Sequence, residues 1–246
     1  MPPETEIIAH RGYSARAPEN TLAAIEAAIS VGADAVEFDV HTAACGTPVV
    51  FHDATLSRTT NGVGSVHRRT LRQLKSLDAG RWFSPDFVGE RIPSLHQALE
   101  STRGRLGRTY VELKGFRELE DLDRMVLIAK DLTMLDEVVF ISMNWTALAR
   151  MRDQEEGVSI GYVVEKEDRI EEAFQLAQGD ARALLDLRAD FIASDPSLAE
   201  RASAQGTDMA VWTVDDPQDA EKLGAWGIHR ITTNEVERLL EWKREG

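Results

Sequence analysis

The sequence predicts an α/β protein built as a (β/α)8 barrel, and three observations support this fold class over a doubly wound open sheet. Eight short apolar runs alternate along the chain with eight amphipathic stretches. The length of 246 residues is typical of a barrel. No glycine-rich GxGxxG motif lies between the first run and the first amphipathic stretch, which disfavours a dinucleotide-binding open sheet. We therefore expect a single domain that spans residues 1–246.

The predicted strands are short runs rich in apolar, β-branched and aromatic residues, bounded by polar or turn-forming residues. We expect them at residues 6–10, 35–40, 109–114, 138–143, 159–164, 190–194, 209–214 and 229–233. The stretches between the strands carry apolar residues at helical spacing. They predict helices near residues 21–31, 94–103, 118–132, 145–155, 169–178, 197–204, 217–226 and 234–244.

One segment, residues 53–93, interrupts this alternation because it contains no clear strand–helix unit. It is rich in turn-forming and polar residues, as at 58–64, and holds a short helical pattern at Leu71, Leu74 and Leu77. We interpret it as an insertion after the second strand. A loop of this length in a compact barrel usually has a functional role, often as a lid.

The charge balance and the cysteine content restrict the possible partners. The 28 Lys and Arg residues against 42 Asp and Glu residues give a formal net charge of −14, so the chain repels nucleic acid and anionic lipid at long range. We expect a small-molecule substrate and no nucleic acid, and an anionic substrate would need local cations from side chains or a metal. The single cysteine, Cys45, excludes an internal disulfide and a cysteine-based zinc cluster.

The sequence also carries an expectation about location. No stretch approaches the roughly 20 apolar residues that span a bilayer, so we expect no stable membrane insertion. Residues 1–4 have neither the basic start nor the apolar run of a signal peptide. Together with the lone cysteine, this predicts a cytoplasmic protein, and the sequence leaves the oligomeric state open.

Two carboxylates share one face of the second predicted strand. Strand side chains alternate with a period of two, so Glu37 and Asp39 point one way and Val36, Phe38 and Val40 point the other. If the apolar set faces the helices, both carboxylates face the barrel interior, where an unpaired charge is costly. A bound divalent cation would remove this cost, and hard oxygen ligands suit Mg²⁺ or Ca²⁺.

The third predicted strand repeats this arrangement with one acid and one base. Glu112 and Lys114 share a face by the same alternation. Glu112 is a candidate third metal ligand, and Lys114 is a candidate cation for a phosphate. The alternative is a structural network of salt bridges in the barrel mouth.

Two histidines end apolar runs, His10 after the first strand and His52 after the short run at 49–51, which we expect to pair with the second strand. An unperturbed histidine titrates near pH 6.5, so two imidazoles that flank a phosphate could act as general base and general acid. The alternative for each is a hydrogen-bonded structural role. Structural roles are also expected for the remaining histidines, which are His41, on the face opposite Asp39, and His67, His96 and His229.

Three further residues are candidates for substrate binding. Arg11 carries a forked guanidinium that suits a phosphate, or is a surface arginine at the barrel rim. Asn20 has the position of a helix N-cap, in a loop that would lie on the catalytic face. Trp212, late in the seventh strand, packs either on a substrate at the mouth or within the core.

A set of short motifs occurs in a specific order along nearly the whole chain, at residues 10–12, 18–21, 32–40, 52–53, 57–64, 92–95, 112–114 and 211–214. This ordered set resembles the glycerophosphodiester phosphodiesterase family. The resemblance implies a (β/α)8 barrel with a small insertion after the second strand. One departure is Cys45, which stands where the family commonly has an aspartate in the turn after the second strand.

The resemblance also implies roles for the candidate residues. Glu37, Asp39 and Glu112 would hold a divalent cation, either Mg²⁺ or Ca²⁺. The imidazoles would form the acid–base pair, for which we prefer His10 as base and His52 as acid, while the side chains of Arg11 and Lys114 would hold the phosphate. The implied reaction is hydrolysis of a glycerophosphodiester to sn-glycerol 3-phosphate and an alcohol.

Three alternatives to this function remain open from the sequence. The first is a phosphodiesterase that acts on lysophospholipids or another lipid-derived diester, which the basic and aromatic residues Arg68, Arg69, Arg72, Trp82 and Phe83 would suit. The second is a catalytically silent barrel that binds phosphodiesters. The third is an unrelated metal-dependent lyase or isomerase.

Overall fold

The structure, a computed structural model, describes residues 5–245. Within that range, eight parallel strands close into a barrel, because β1 pairs with both β2 and β9. A short ninth strand, β3, pairs antiparallel with β2 outside the ring. The strands are β1 (Glu6–His10), β2 (Ala35–Thr42), β3 (Pro48–Val50), β4 (Arg108–Gly115), β5 (Val138–Ser142), β6 (Ser159–Val164), β7 (Ala183–Arg188), β8 (Asp208–Trp212) and β9 (Arg230–Thr233). The (β/α)8 barrel predicted from the sequence is confirmed.

Helices follow the strands and pack on the outside of the barrel. They are α1 (Leu22–Val31), α2 (Leu71–Leu74), α3 (Leu95–Thr102), α4 (Leu119–Asp131), α5 (Trp145–Gln154), α6 (Ile170–Ala177), α7 (Ala189–Ser194), α8 (Ser197–Gln205), α9 (Pro217–Ala225) and α10 (Val236–Glu245). Side-chain caps fix where several of them begin. Thr21 accepts a hydrogen bond from the backbone N–H of Ala24 at the start of α1, and Ser94 forms a capping box with Gln97 at the start of α3.

Strand alternation separates an outer core from an inner one, and this separation creates the site. The outward face of β2, with Val36, Phe38 and Val40, belongs to a large cluster shared with the helices. The inward faces fill the lower barrel with Ile8, Ala35, Tyr110, Val139, Ile141, Val163, Leu184 and Ala210. Two residues further along four of these strands, the inward position is ionisable: Ile8 is followed by His10, Ala35 by Glu37, Tyr110 by Glu112 and Leu184 by Asp186. These groups therefore meet at the carboxyl ends of the strands.

Residues 53–93, predicted to be an insertion, lie between β3 and α3 and contain α2 with two short 3₁₀ turns, Val66–Arg68 and Pro85–Phe87. The segment has its own apolar cluster, which includes Leu56, Val66, Leu74 and Ile92 and packs on Val49 of β3. The expected pairing of residues 49–51 with the second strand is confirmed for Val49 and Val50. This packing anchors the segment beside the mouth of the barrel.

The predicted strand at residues 190–194 is wrong. Those residues belong to α7, and the sixth barrel strand is β7, which forms parallel ladders with β6 and β8. Periodicity cannot distinguish a short apolar run in a strand from one in a helix. In β7, moreover, an inward carboxyl, Asp186, interrupts the apolar run between Leu185 and Leu187.

Over residues 5–245, the structure contains no helix with both the length and the apolar character needed to cross a membrane.

Candidate active site

The carboxyl ends of the barrel strands open onto a cavity of about 510 Å³. Predicted site residues from four strands and their loops border it: His10, Arg11, Glu37, His52, Glu112, Lys114 and Trp212. Asp39 is completely buried directly behind this surface. The sequence analysis therefore selected side chains that the fold brings together.

The three predicted metal ligands converge. One carboxylate oxygen from each of Glu37, Asp39 and Glu112 lies within 4.8 Å of the other two, since the β2–β4 register places Asp39 beside Glu112. Among the described residues, Glu37 Oε1 and Asp39 Oδ1 are buried and have no hydrogen-bond partner. Buried oxygens without a partner are costly, and an all-oxygen set of this kind fits a hard divalent cation.

Two side-chain cations lie against the same carboxylates. Lys114 Nζ is 2.7 Å from Glu112 Oε1 and 3.4 Å from Asp39 Oδ1. Arg11 Nε is 3.2 Å from Asp39 Oδ2. The salt-bridge network considered as an alternative to a metal site is thus present, and it coexists with carboxylate oxygens that accept no hydrogen bond.

The pKa values of the three carboxyls are driven apart by their surroundings. Burial alone would raise the pKa of Asp39, but the charges of Lys114 and Arg11 lower it to about 2. Burial and then the charge of Asp39 raise the pKa of Glu37 well above its usual range, and the same two causes raise that of Glu112 to about 7. A cation that binds here must therefore displace protons.

His10 is held by an amide in a defined tautomer. Its Nδ1 is 2.8 Å from Asn234 Oδ1, and the Asn234 amide is oriented by donation from Nδ2 to Asp215 Oδ2 at 3.0 Å. His10 Nδ1 therefore donates, and Nε2 is left 4.0 Å from Glu37 Oε2 at the cavity. Burial, and then the charge of Arg11, lower the pKa of His10, which favours a neutral imidazole.

His52 has a carboxylate behind it instead. Its Nδ1 is 2.6 Å from Asp53 Oδ1. Hydrogen bonds from Arg58 are the main cause that holds the pKa of Asp53 far below its usual range, so this group remains ionised. Because an ionised carboxylate only accepts hydrogen bonds, His52 Nδ1 donates to it, and this bond fixes the orientation of the ring.

His41 is not on the face expected from the sequence. It was expected opposite Asp39, yet it borders the cavity, because a residue two positions after Asp39 lies on the same face of a strand. Its Nε2 lies 3.0 Å from the backbone carbonyl of His52. Burial lowers the pKa of His41 to about 4, so a neutral imidazole supports the loop that carries His52.

An arginine of the inserted segment connects the residue behind His52 to the residue beside Arg11. Arg58 donates to Asp53 Oδ2 from Nε at 2.8 Å and to Glu19 Oε2 from Nη1 at 2.7 Å. Glu19 also accepts a hydrogen bond from Arg11 Nη1 at 2.8 Å. A continuous chain of ion pairs therefore runs from His52 to Arg11. The sequence analysis assigned no role to Glu19, Asp53 or Arg58, although each lies in a recognised motif.

Asn20 and Trp212 occupy different surroundings. The prediction of Asn20 as a helix N-cap is wrong, because Thr21 caps α1. Asn20 instead donates from Nδ2 to Asp39 Oδ2 at 2.7 Å, and its Oδ1 accepts from the Asp39 backbone N–H at 3.0 Å. Trp212 borders the cavity, packs on the inner core and donates from Nε1 to the backbone oxygen of Asp186 at 3.3 Å.

Two acidic residues at the cavity, Asp186 and Glu165, escaped the sequence analysis. Asp186 was missed because β7 was not recognised, although its position among leucines marks it as a polar residue in a buried strand. Burial, and then the charge of Glu112, raise the pKa of Asp186 to about 8.

The carboxyl ends of the barrel strands bring together three carboxylates, two side-chain cations that could bind a phosphate, and two imidazoles. This combination is typical of an enzyme of the phosphoric ester hydrolase class. The family model described as "Glycerophosphoryl diester phosphodiesterase family" matches residues 10–238. The chain therefore belongs to the glycerophosphoryl diester phosphodiesterase family.

Relatives with similar sequences and structures agree with this assignment. The chain is 32% identical over 247 residues to a glycerophosphodiester phosphodiesterase of Caldanaerobacter subterraneus subsp. tengcongensis, with 99% of each chain covered. It is 28% identical over 250 residues to a Bacillus subtilis glycerophosphodiester phosphodiesterase, covering 92% of this chain and 82% of the relative. Among solved structures, an Oleispira antarctica phosphodiesterase in complex with the product sn-glycerol-3-phosphate superposes with a TM-score of 0.86 at 31% identity, covering 97% of this chain and 96% of that one.

Proposed function

We propose that this protein hydrolyses glycerophosphodiesters to sn-glycerol 3-phosphate and an alcohol, with a bound divalent cation and a pair of histidines. The observation that carries the proposal is the convergence of three carboxylates, two cations and two imidazoles on one cavity, in a chain that belongs to this family. A structural relative with sn-glycerol-3-phosphate bound supports the choice of product.

Glu37, Asp39 and Glu112 would hold the cation, and the buried oxygens of Glu37 and Asp39 that accept no hydrogen bond support this assignment. When bound, the cation supplies positive charge that stabilises the negative charge developing on the phosphoryl oxygens. An all-oxygen donor set suits Mg²⁺ or Ca²⁺. Asn20 orients Asp39 through two hydrogen bonds, as partners behind metal ligands commonly do.

Arg11 and Lys114 would bind the phosphate oxygens. Both side chains border the cavity and lie against Asp39, so their positions are fixed before the substrate arrives. Preorganised cations at a site of developing negative charge stabilise a transition state without reorganisation at the moment of reaction.

The hydrogen-bond partners of the two histidines support a division of labour. His10, backed by the neutral amide of Asn234 and with a lowered pKa, is suited to accept a proton from the nucleophile, either water or the 2-hydroxyl of the substrate's glycerol. His52, backed by the Asp53 carboxylate, is suited to carry a proton and deliver it to the leaving alkoxide.

The whole chain is proposed to act as one unit. Arg58 of segment 53–93 bonds to Glu19 of the loop after β1, so the inserted segment contributes to the site rather than standing apart. A small anionic substrate also agrees with a site whose cations lie inside a protein of net charge −14.

The test measures release of sn-glycerol 3-phosphate from soluble glycerophosphodiesters and release of choline from micellar lysophosphatidylcholine, in chelator and after Mg²⁺ or Ca²⁺ is restored. We expect metal-dependent release from the soluble diesters. His10→Ala and His52→Ala should each lower kcat by about 100-fold or more, whereas His96→Ala, on the exposed side of α3, should leave it unchanged. Near-normal turnover by either active-site variant would refute the two-histidine scheme, and exclusive use of lysolipid would favour the lipid alternative.

A further inference from the structure

The proposed chemistry uses only part of the cavity. The metal-binding carboxylates and the two phosphate-binding cations come from β1, β2, β4 and the loops that follow them. The order of strands around the ring places β7 directly across the barrel from β2. The wall on that side is formed by Ile141, Val163, Trp212 and the buried Asp186, and a second acid, Glu165, is exposed to solvent there.

Asp186 is an unusual group for an apolar wall. It is only 5% exposed, and it lies between Val163 and Ala210 in the parallel ladders of β7. Within residues 5–245, its Oδ1 is buried and has no hydrogen-bond partner. A buried carboxyl without a partner costs free energy, so a group that enters the cavity and bonds to it would gain that interaction.

The surroundings of Asp186 indicate which chemical group this is. The neighbouring surface is apolar, and the indole N–H of Trp212 is already donated to the Asp186 backbone oxygen. The Asp186 carboxyl is therefore a hydrogen-bonding group beside an apolar surface that can pack against the carbon atoms of a ligand. Since Asp186 is almost fully buried, only the part of a substrate that reaches deep into the barrel can contact it.

We propose that Asp186 binds a hydroxyl group of the glycerol moiety, while Ile141, Val163 and Trp212 pack against its carbon atoms. A hydroxyl on a short carbon chain offers the donor that this carboxyl lacks, whereas the trimethylammonium of a choline headgroup has no N–H or O–H to give. The inference rests on the proposed function, because it assigns one moiety of that substrate to one wall of the same cavity. It makes Asp186 the residue that selects glycerol-bearing diesters.

The experiment compares two ligands that share a phosphate and differ in hydroxyl groups. The affinities of sn-glycerol 3-phosphate and propyl phosphate are measured by calorimetry, in saturating Mg²⁺, for the wild type and for Asp186→Ala. We expect the wild type to bind sn-glycerol 3-phosphate about 10- to 100-fold more tightly than propyl phosphate. A buried hydrogen bond of this kind favours a ligand that has the hydroxyl over one that lacks it. Asp186→Ala should reduce this ratio to within about 3-fold of unity, with propyl phosphate affinity unchanged.

Matched variants separate this role from a structural one. Asp186→Asn keeps a hydrogen-bonding side chain of the same shape and should keep an intermediate preference, and Asp190→Ala, an exposed acid two residues away, should keep the full preference. Equal loss of affinity for both ligands, or a wild type without preference, would overturn the proposal. Because the readout is binding, it is independent of turnover: a wild type that discriminates between the ligands but releases no sn-glycerol 3-phosphate would refute the proposed function alone.

Discussion

His10 Nδ1 lies 2.8 Å from Asn234 Oδ1. Across the site, the corresponding nitrogen of His52 lies 2.6 Å from a carboxylate, that of Asp53. The group behind His10 is a neutral amide, whereas the group behind His52 is a carboxylate. This difference supports the proposed roles of His10 as base and His52 as acid.

The first prediction concerns the acidic limb of the pH–activity profile. Burial, and then the charge of Arg11, lower the pKa of His10, and a general base must be unprotonated to act. At saturating metal, the acidic limb of kcat/KM should therefore lie below the ordinary histidine value of about 6.5. A profile of kcat/KM from pH 5 to pH 9 measures it, and an acidic limb clearly above that value would contradict the assignment of His10 as base.

The second prediction concerns Arg58. Its guanidinium bonds to both Asp53 and Glu19, so Arg58→Ala should loosen the groups behind His52 and Arg11 at the same time. We expect kcat/KM to fall about 10- to 100-fold, because small misplacements of catalytic groups cause losses of this size. Arg58→Lys should recover only part of the lost kcat/KM, because lysine lacks the forked geometry of arginine.

The control for Arg58 is a second arginine of the same segment. Arg91 bonds to the backbone oxygens of Ser76 and Leu77, away from the ion-pair chain. Arg91→Ala should therefore change kcat/KM much less than Arg58→Ala. Similar losses in both variants would mean that Arg58 only stabilises the segment.

The third prediction concerns metal affinity. Asn20→Ala removes both hydrogen bonds that hold Asp39, and loss of such a partner typically weakens metal binding about 10- to 100-fold. Calorimetric titration with Mg²⁺ or Ca²⁺ measures this. Asn61→Ala, which removes a similar side-chain bond to the backbone of Asp78, should leave the affinity unchanged, and an unaltered affinity in Asn20→Ala would exclude the positioning role.

The fourth prediction is a pH dependence of stability in the absence of metal. Burial, and then the charge of Glu112, raise the pKa of Asp186 to about 8, above its value of about 3.9 in an unfolded chain. Between these values the folded state binds more protons than the unfolded state, so this group's contribution to the free energy of unfolding falls as pH rises. Glu37 and Glu112 act in the same direction.

Thermal denaturation in chelator at pH 5.5 and pH 8 tests this dependence. Tm should be lower at pH 8, Asp186→Asn should lessen the decrease, and added Mg²⁺ or Ca²⁺ should raise Tm most at pH 8. Asp190→Asn, at an exposed position, should leave the decrease in Tm between pH 5.5 and pH 8 unchanged. A Tm that stays constant or rises between the two pH values in chelator would contradict the pKa shifts.

Most of the proposed site could be predicted from the sequence for one physical reason. Period-two alternation places Glu37 with Asp39 and Glu112 with Lys114, and a polar pair on one face of an otherwise apolar strand is visible without coordinates. The expectation for His41 was wrong because Asp39 and His41 are two residues apart, so the same alternation places His41 toward the cavity. Pattern reading also failed at β7, where a single inward carboxyl, Asp186, broke the apolar run.

Contacts between distant segments were beyond the sequence. Asn234 and Asn20 are both polar residues near predicted helix starts, and no local pattern indicates that one holds His10 and the other holds Asp39. The chain of ion pairs through Arg58 likewise depends on how segment 53–93 packs beside the mouth. These partners tune the chemistry, and only the folded structure reveals them.

The central claim is that Glu37, Asp39 and Glu112 together bind one divalent cation. A crystal of the protein soaked in Mn²⁺, recorded at the manganese absorption edge, tests it directly. We expect one strong anomalous peak at the carboxyl end of the barrel, about 2.0–2.5 Å from an oxygen of each carboxylate. An absence of any peak there, or a peak bound by other residues, would contradict it.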